Sequence, residues 1–550
     1  MGIYLNSKKP GILFRKDVRS PYYIDKTSFI KELIPLLESD LITGFCNPIQ
    51  RYICVTRPRR FGKTMLANMI SSYFGRGKAC ADLFAGLSVS KEAWFSSCLN
   101  NYNVIHISFN DVPRECSSYE QYIRRIEYLL LNDLKKAYPE LEPAEDEAVW
   151  DALNRIVEMY DDSGFIFILD EWDYIFHRDY ITSEDKEKYL GFLSSLLKDQ
   201  PYVQFAYMTG ILPITKYSSG SELNMFFEYT MSGNARFSEY FGFSDQEVDQ
   251  LYARYLERTA DPAFTRDDLR EWYDGYLTPS GTAYYNPRSV VGALSDNHIG
   301  SYWTNAGPYD EIYSCIRHNI DAVRDDIGLL TAGQSIPASI DEYAANGMEL
   351  RTRSQIFSAM VIYGFLTYSK GCVRIPNREL LGKFISTMKE EKALGSMNRL
   401  ALMSEEMMQA MRAGNTRKMS EILTYLHNTE SPLIHYGNEE ELTMVVTLAC
   451  LAGRENYHIV REDKGGIGYA DFLFYPVLNL SDDCYIMELK VDDTPQAAIR
   501  QIMQKGYAQA FLPKAEEKPR YTGHIVAYGI AYRKSGDGSR EHLCEREIIR

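Results

Sequence analysis

Val55-Thr-Arg-Pro-Arg-Arg-Phe-Gly-Lys-Thr64 decides how this chain is read. It follows the apolar stretch Tyr52-Ile-Cys-Val55 and precedes the helical pattern Met65-Leu-Ala-Asn-Met-Ile70. A strand that runs through a tight turn into a helix leaves backbone N–H groups free to face an anion, and the helix dipole favours negative charge there. Gly62-Lys63-Thr64 ends such a loop: the lysine reaches the β- and γ-phosphates and the Thr64 hydroxyl holds Mg2+. The usual pattern has a glycine five residues before Gly62, and here that position is Arg57, followed by Pro58, Arg59 and Arg60. We read a variant loop whose positive charges also face phosphate, with Arg59, Arg60, Phe61, Gly62, Lys63 and Thr64 around the nucleotide.

A second segment, Phe165-Ile-Phe-Ile-Leu-Asp-Glu-Trp-Asp173, supports this reading. Its apolar run is a buried strand that delivers two carboxylates at its end. Asp170 is the expected Mg2+ ligand, and Glu171 the group that orients the attacking water. Asn103-Val-Ile-His-Ile-Ser-Phe109 and Tyr202-Val-Gln-Phe-Ala-Tyr-Met-Thr-Gly210 also read as strands, with helical spacing between them. Strands alternating with helices imply a parallel sheet with its ligands at the strand C-termini. Thr209 then falls where a γ-phosphate sensor would sit. ATP with Mg2+ is the expected cofactor.

With 550 residues, 45% hydrophobic and 13% aromatic, the chain has material for several packed domains. Its ten cysteines are scattered with no C-x-x-C pair, which suits buried thiols in a reducing compartment. The first ten residues lack the apolar segment of a secretory signal, and no run of about 18 apolar residues occurs. A cytoplasmic location without a membrane partner is expected. The net charge of −15 argues against a broadly basic nucleic-acid binder, so any such contact needs local patches. From about 245 to 430 the pattern is mostly helical. Trp272-Tyr-Asp-Gly-Tyr276 and Tyr284-Tyr-Asn-Pro287 read as aromatic packing of a helical lid, with Tyr285-Asn-Pro287 over the adenine as the alternative. Helix 354–362 and the two short segments after it suggest a small hairpin of winged-helix type.

A second chemical site lies near the C-terminus. Gly468-Tyr-Ala-Asp-Phe-Leu-Phe-Tyr475 and Cys484-Tyr-Ile-Met-Glu-Leu-Lys-Val491 read as paired strands. Side chains alternate on a strand, so Glu488 and Lys490 share one face and an antiparallel partner can bring Asp471 beside them. Two carboxylates and a lysine on an apolar hairpin are costly to bury unless paired or metal-bound. Asp471 and Glu488 are expected to hold Mg2+ or Mn2+, with Lys490 positioning the nucleophile for phosphodiester hydrolysis. The helix Ala497–Tyr507 can present Gln501 and Lys505 near the site, and Glu439 is a candidate further ligand.

Taken together, these motifs resemble a bacterial and archaeal family that joins an AAA-ATPase-like domain to a C-terminal PD-(D/E)XK nuclease-superfamily domain. The resemblance is carried by Tyr23-Ile-Asp-Lys-Thr27, Arg57 to Thr64, Leu169 to Asp173, Thr209-Gly210, Trp272 to Tyr276, Tyr285-Asn-Pro287, Ile375 to Glu379, Ala470-Asp471, Met487-Glu-Leu-Lys490 and Gln501 to Tyr507. The chain departs in having Tyr469 where the family often has Arg, and Trp172 where Tyr is commoner. The resemblance implies an α/β fold: a P-loop NTPase parallel sheet, a helical lid and middle region, and a C-terminal mixed α/β restriction-endonuclease-like domain. The expected division is 1–240 for the ATPase core, 241–430 for the helical lid and possible winged helix, and 431–550 for the nuclease-like domain. The expected partner is nucleic acid, DNA before RNA, with a homo-oligomer left open. The alternative is an ATP-dependent switch whose nuclease-like domain binds nucleic acid or protein without cutting it.

Overall fold

The computed structural model describes residues 2–37, 50–77, 80–141, 147–160, 164–214, 222–234, 236–304, 315–316, 319–340, 350–429, 438–464, 468–512, 521–534 and 540–550. These pack as two compact units, one built mainly from residues 1–298 and the other mainly from 372–550 with 299–338.

The first unit is organised by a parallel five-stranded sheet. Its strands are β1 (Tyr52–Thr56), β2 (Asn103–Ser108), β3 (Phe165–Asp170), β4 (Val203–Gly210) and β5 (Phe227–Tyr229), in the order β2-β3-β4-β1-β5. Every residue of β1 and β3 is buried, as expected of strands covered on both faces. Helix α1 (Lys63–Phe74) follows β1 and lays Leu66, Ala67, Ile70, Tyr73 and Phe74 into a core shared with Ile53, Val55, Ile168 and Tyr207. The register pairs Ser108 with Asp170, Asp170 with Thr209, and Val55 with Thr209. The polar ends of four strands therefore meet at one edge of the sheet.

Helices α2 (Asp245–Arg258), α3 (Arg266–Tyr273) and α4 (Pro287–Asp296) follow, the first two opened by capping boxes at Ser244/Glu247 and Thr265/Asp268. The amino-terminal Tyr22-Tyr-Ile-Asp-Lys-Thr27 segment is tied to this layer. Lys26 Nζ, buried, donates to the Glu239 carbonyl at 2.6 Å and pairs with Glu247, and Arg254 donates to the Tyr23 carbonyl at 2.8 Å.

The second unit holds a mixed five-stranded sheet of β6 (Tyr457–Lys464), β7 (Tyr469–Pro476), β8 (Cys484–Val491), β9 (Ile525–Lys534) and β10 (Arg540–Ile548), in that spatial order. All neighbours are antiparallel except β8 and β9, which are parallel. Helices Ser396–Ala413, Thr416–Thr429 and α5 (Asn438–Ala449) precede the sheet. Thr416–Thr429 is fastened to β10 through His427 Nδ1 and His542 Nε2, 3.0 Å apart. A parallel β8–β9 pair demands a crossover, and α6 (Pro495–Lys505) supplies it, with Thr494 as N-cap and Pro495 in the first turn. No described helix is long and apolar enough to cross a membrane. The nine described cysteines are all free thiols, while Cys46 lies outside the described residues.

The crossover helix lies so close to β9 that only glycine fits beneath it. A Cβ on Gly529 would stand 2.1 Å from the Pro495 carbonyl oxygen and 3.1 Å from Ala498 Cβ. Gly529 is also the register partner of Glu488, so this contact sets the height of α6 above the second site. Gly529→Ala is expected to destabilise this unit by about 1–3 kcal/mol, the usual cost of forcing atoms into a packed layer. Calorimetric melting would test this, and an unchanged midpoint would show that α6 can move without cost.

Candidate functional site

The first site forms where β1 turns into α1. The turn is made by Arg60 and Gly62, at φ 71° and 89°, and at the second of these positions only glycine escapes a steric penalty. Lys63 enters the site from the first residue of the helix. It is 7% exposed, and its Nζ donates to the carbonyls of Arg57 at 2.8 Å and Pro58 at 2.9 Å. Burial pulls its pKa down to about 8, against the pull of Asp173, Asp170 and Glu171.

Asp170 ends β3 with no exposed surface, and neither carboxylate oxygen has a hydrogen-bond partner among the described residues. Burial pushes its pKa up to about 7. The Thr64 hydroxyl works against that shift without reaching hydrogen-bonding geometry, as does the Lys63 charge. Thr209, its neighbour on β4, is also fully buried, with its hydroxyl unpartnered among the described residues. Three buried acceptor atoms without partners in one place are rare, because each forfeits its water without replacement. A divalent cation would satisfy the Asp170 oxygens, which are donors such an ion accepts, and a ligand oxygen beside it would satisfy the Thr209 hydroxyl.

The remaining predicted residues fall into distinct roles. Glu171 stands in the left-handed region at φ 54°, and its Oε2 accepts from Asn110 Nδ2 at 2.7 Å. Asn110, two residues beyond the end of β2, carried no signal in the sequence as a partner for that glutamate. Arg59 is half-buried, while Arg60 and Thr64 are exposed. Phe61 is buried edge-on against Tyr276, with ring centroids 4.9 Å apart, and its carbonyl accepts from the Gly242 N–H at 3.3 Å.

Arg57 corrects the expectation that the loop's basic residues all face phosphate. Only 2% exposed, its guanidinium donates to the carbonyls of Thr56 at 2.8 Å and Tyr229 at 2.7 Å and lies over the Phe241 ring. It points into the core as an anchor for the base of the loop. Burial lowers its pKa to about 10. Asp173, also unforeseen, accepts from the backbone N–H groups of Ile211 and Leu212 at 3.0 and 2.8 Å and so fixes the turn after β4. At Tyr285-Asn-Pro287 the structure shows the packing that the sequence suggested for a helical lid. Tyr285 is buried, donates to Asp245 at 2.6 Å and accepts from Arg266 at 3.0 Å, and Asn286 caps α4.

The second site lies on β7 and β8. Asp471 Oδ2 accepts from the Leu489 N–H at 2.7 Å, which brings it onto β8 beside Glu488. Glu488 is 2% exposed; its Oε1 accepts from Lys490 Nζ at 3.1 Å and from Gln501 Nε2 on α6. Gln501 also donates to the Tyr507 hydroxyl at 3.4 Å. Asp471, Glu488, Lys490 and Gln501 therefore share one site. The side chain of Glu439, on the first turn of α5, lies outside the described residues. Glu488 Oε2 is buried and unpartnered among the described residues. Burial, then the nearby Asp471 charge, pushes Glu488 up to about 7, with Lys490 pulling the other way. No cluster of three or more His, Cys, Asp or Glu able to hold a metal occurs among the described residues. Two carboxylates with one orphaned oxygen still suit Mg2+, which commonly takes one or two protein carboxylates and fills its remaining positions with water and phosphate.

Glu488 makes stability depend on pH in a defined sense. Its folded pKa of about 7 lies above the ordinary 4.5, so the folded protein holds this proton more tightly than the unfolded chain. Its contribution is then lost as pH rises from about 4.5 through 7. Glu488→Gln is expected to raise the melting temperature at pH 8 and to do so progressively less towards pH 5. Added Mg2+ at pH 8 should stabilise the wild type more than the variant. Equal effects at both pH values would remove the buried-carboxylate argument.

Comparison with known proteins agrees with this layout. Residues 15–219 match the AAA-ATPase-like family model, described as a predicted AAA-ATPase. Residues 438–532 match the PD-(D/E)XK nuclease superfamily model. A curated protein of Azotobacter chroococcum mcd 1, described as an uncharacterized protein in the vnfD 5′ region, is 27% identical over 291 residues, 52% of this chain. The chain spans about half (51%) of the length of that curated relative. Among solved structures, the Walker-type ATPase paby2304 of Pyrococcus abyssi is similar at 12% identity and a TM-score of 0.34, over 61% of this chain and 91% of its own. The ORC2 protein of Aeropyrum pernix, solved as ADPNP–ADP complexes, is similar at 13% identity and a TM-score of 0.30, over 64% and 89%.

Proposed function

We propose that this chain, with its AAA-ATPase-like domain at 15–219 and its PD-(D/E)XK nuclease-superfamily domain at 438–532, binds and hydrolyses Mg·ATP and cuts nucleic acid at a separate metal-dependent site. The observation that carries the reading is the set of unpartnered buried oxygens on Asp170 and Thr209 beside the buried amine of Lys63. A strand edge would not keep a desolvated carboxylate and hydroxyl together without a ligand to satisfy them.

In the first site, Lys63 exchanges two backbone carbonyls for the β- and γ-phosphate oxygens. Arg59 and Arg60 add positive charge at the mouth, and the backbone from Phe61 to Thr64 faces the phosphates. Thr64 and Asp170 hold Mg2+, Thr209 touches the γ-phosphate, and Glu171 orients the attacking water once Asn110 yields it. In the second site, Asp471 and Glu488 hold the divalent ion, Mg2+ or Mn2+, with Glu439 as a further ligand. When bound, that ion supplies a water of lowered pKa and polarises the scissile phosphate. Lys490 places the nucleophile, and Gln501 fixes the orientation of Glu488. The functional division we propose is 1–240, 241–430 and 431–550, in a cytoplasmic protein acting on DNA in preference to RNA.

Separate variants test the two activities. Lys63→Ala removes a charge-assisted bond and is expected to weaken ATP binding roughly 10- to 100-fold, measured by calorimetric titration. Glu171→Gln should still bind ATP while turning over about 100-fold more slowly or worse. ATPase rates equal to wild type in both would end the assignment. Asp471→Ala or Glu488→Ala is expected to abolish Mg2+-dependent cleavage of DNA in a gel assay while ATP hydrolysis continues. If the wild type hydrolyses ATP and cuts no nucleic acid, the reading becomes an ATP-dependent switch with a binding domain.

A further inference from the structure

The second site has one aromatic side chain whose placement its chemistry does not use. Strands β7 and β8 pair through Phe472 with Met487, Leu473 with Ile486, and Phe474 with Tyr485. Continued along both strands, this register sets Asp471 opposite Glu488 and Tyr469 opposite Lys490. Facing residues of an antiparallel pair share a sheet face, and alternation along β7 puts Tyr469 and Asp471 on that same face. Tyr469 is 64% exposed, whereas Phe472 and Phe474 on the same strand are buried. Its side chain makes no hydrogen bond or ring contact with the described residues. Single exposed aromatics are common on proteins and need no explanation by themselves. Here the ring stands one step outward from a carboxylate pair that carries a buried orphaned oxygen.

Positive charge flanks it. The Lys490 side chain is partly exposed on the adjoining strand. A Cβ at Gly468 would lie 4.0 Å from the Lys505 stem and 3.5 Å from the Tyr507 hydroxyl, so the end of α6 borders the start of β7. An exposed ring set opposite Lys490 in the continued register, on a strand whose start borders the Lys505 stem, lies at the rim of a site for phosphodiester chemistry and matches the face of a base whose phosphates meet those lysines. In a duplex both faces of a base are covered by stacked neighbours, and the grooves present only edges. An aromatic side chain gains a base face when the nucleotide is unpaired or splayed out.

We propose that Tyr469 is a stacking platform for an unpaired base next to the scissile phosphate, so that the second site selects single-stranded nucleic acid over duplex. The inference rests on the nuclease reading above and adds its substrate class. Tyr469 acts here on binding and selection, while Asp471, Glu488 and Lys490 serve the reaction itself.

The test uses the full chain in an Asp471→Asn background, which stops cutting during binding measurements. Fluorescence anisotropy is recorded with a short single-stranded DNA, an RNA of the same sequence, and a hairpin-closed duplex DNA. Tyr469→Ala is expected to weaken the preferred single strand about 5- to 100-fold and to change duplex binding less than about twofold. Tyr469→Trp should restore single-strand binding, a rescue that a merely structural role would not give; circular dichroism of each variant checks that the domain is folded. Equal loss on single strand and duplex, no loss, or a Trp variant as weak as the Ala variant would overturn the inference. The two DNA arms decide strandedness, and the RNA arm shows which sugar the site accepts. Cleavage by the wild type with Mg2+ keeps the nuclease reading standing under those outcomes; a wild type that neither binds nor cuts any of the three removes both.

Discussion

An amine buried among backbone carbonyls sets the shape of the first site. Lys63 has almost no access to water, and its hydrogen bonds go to the carbonyls of Arg57 and Pro58. A charge so placed is tolerable only if acceptors are aimed at it, which constrains the backbone of the whole turn. The acceptors are aimed because Arg57 is held from below, its guanidinium bonded to the Thr56 and Tyr229 carbonyls. The loop is thus pulled at its base by one cation and closed at its mouth by another. Phosphate oxygens carry charge and attract an ammonium more strongly than neutral carbonyls do. A nucleotide can therefore draw the lysine away from its own loop with little rearrangement of the surrounding strands.

The two carboxylate sites solve one electrostatic problem in different ways. Asp170 and Glu488 are both pushed up to about 7 by burial. Asp170 has both oxygens unpartnered among the described residues and relies on the field of Lys63. Glu488 has one oxygen engaged by Lys490 and Gln501 and one left over. In either case a proton and a cation compete for the same lone pairs near neutral pH. Uptake of a metal would release a proton, so affinity and acidity are linked at each site. The paired oxygen of Glu488 also fixes how the carboxylate is turned, because Gln501 comes from α6 and α6 is seated on Gly529.

Much of this was legible in the sequence. Strands 52–56 and 165–170 were visible as apolar runs, since both faces of a parallel sheet are covered, 103–108 through its alternation, and 203–210 as a mostly apolar stretch ending in Thr209. Asp471, Glu488, Lys490 and Gln501 were legible through strand alternation and the spacing of the following helix. β5 was not, because Phe227-Glu-Tyr229 is too short to show a period. β6 was hidden by its charged second half, Arg461-Glu-Asp-Lys464. Asn110 was out of reach for another reason: its bond to Glu171 joins residues 61 apart, and adjacency of strand ends is a tertiary fact. Asp173 escaped for the same cause, with partners 38 and 39 residues away.

The missing first glycine of the loop is explained by backbone geometry. Glycine is needed where the chain must enter the left-handed region or where another group approaches too closely for a Cβ. Among the described residues of this turn, the left-handed positions are Arg60 and Gly62, and Arg57 is not one of them. Position 57 therefore carries no conformational demand for glycine, and a side chain there is free to serve another end. It reaches down to the Tyr229 carbonyl on β5 and to Ser238 beyond it, tying an edge strand of three residues to the end of its neighbour β1. A glycine there would leave those carbonyls without their donor and the short strand without its fastening. The substitution that weakens the motif as a pattern strengthens the loop as a structure, and under the proposed function phosphate binding would rest on backbone N–H groups and on Lys63, which do not depend on position 57 being small.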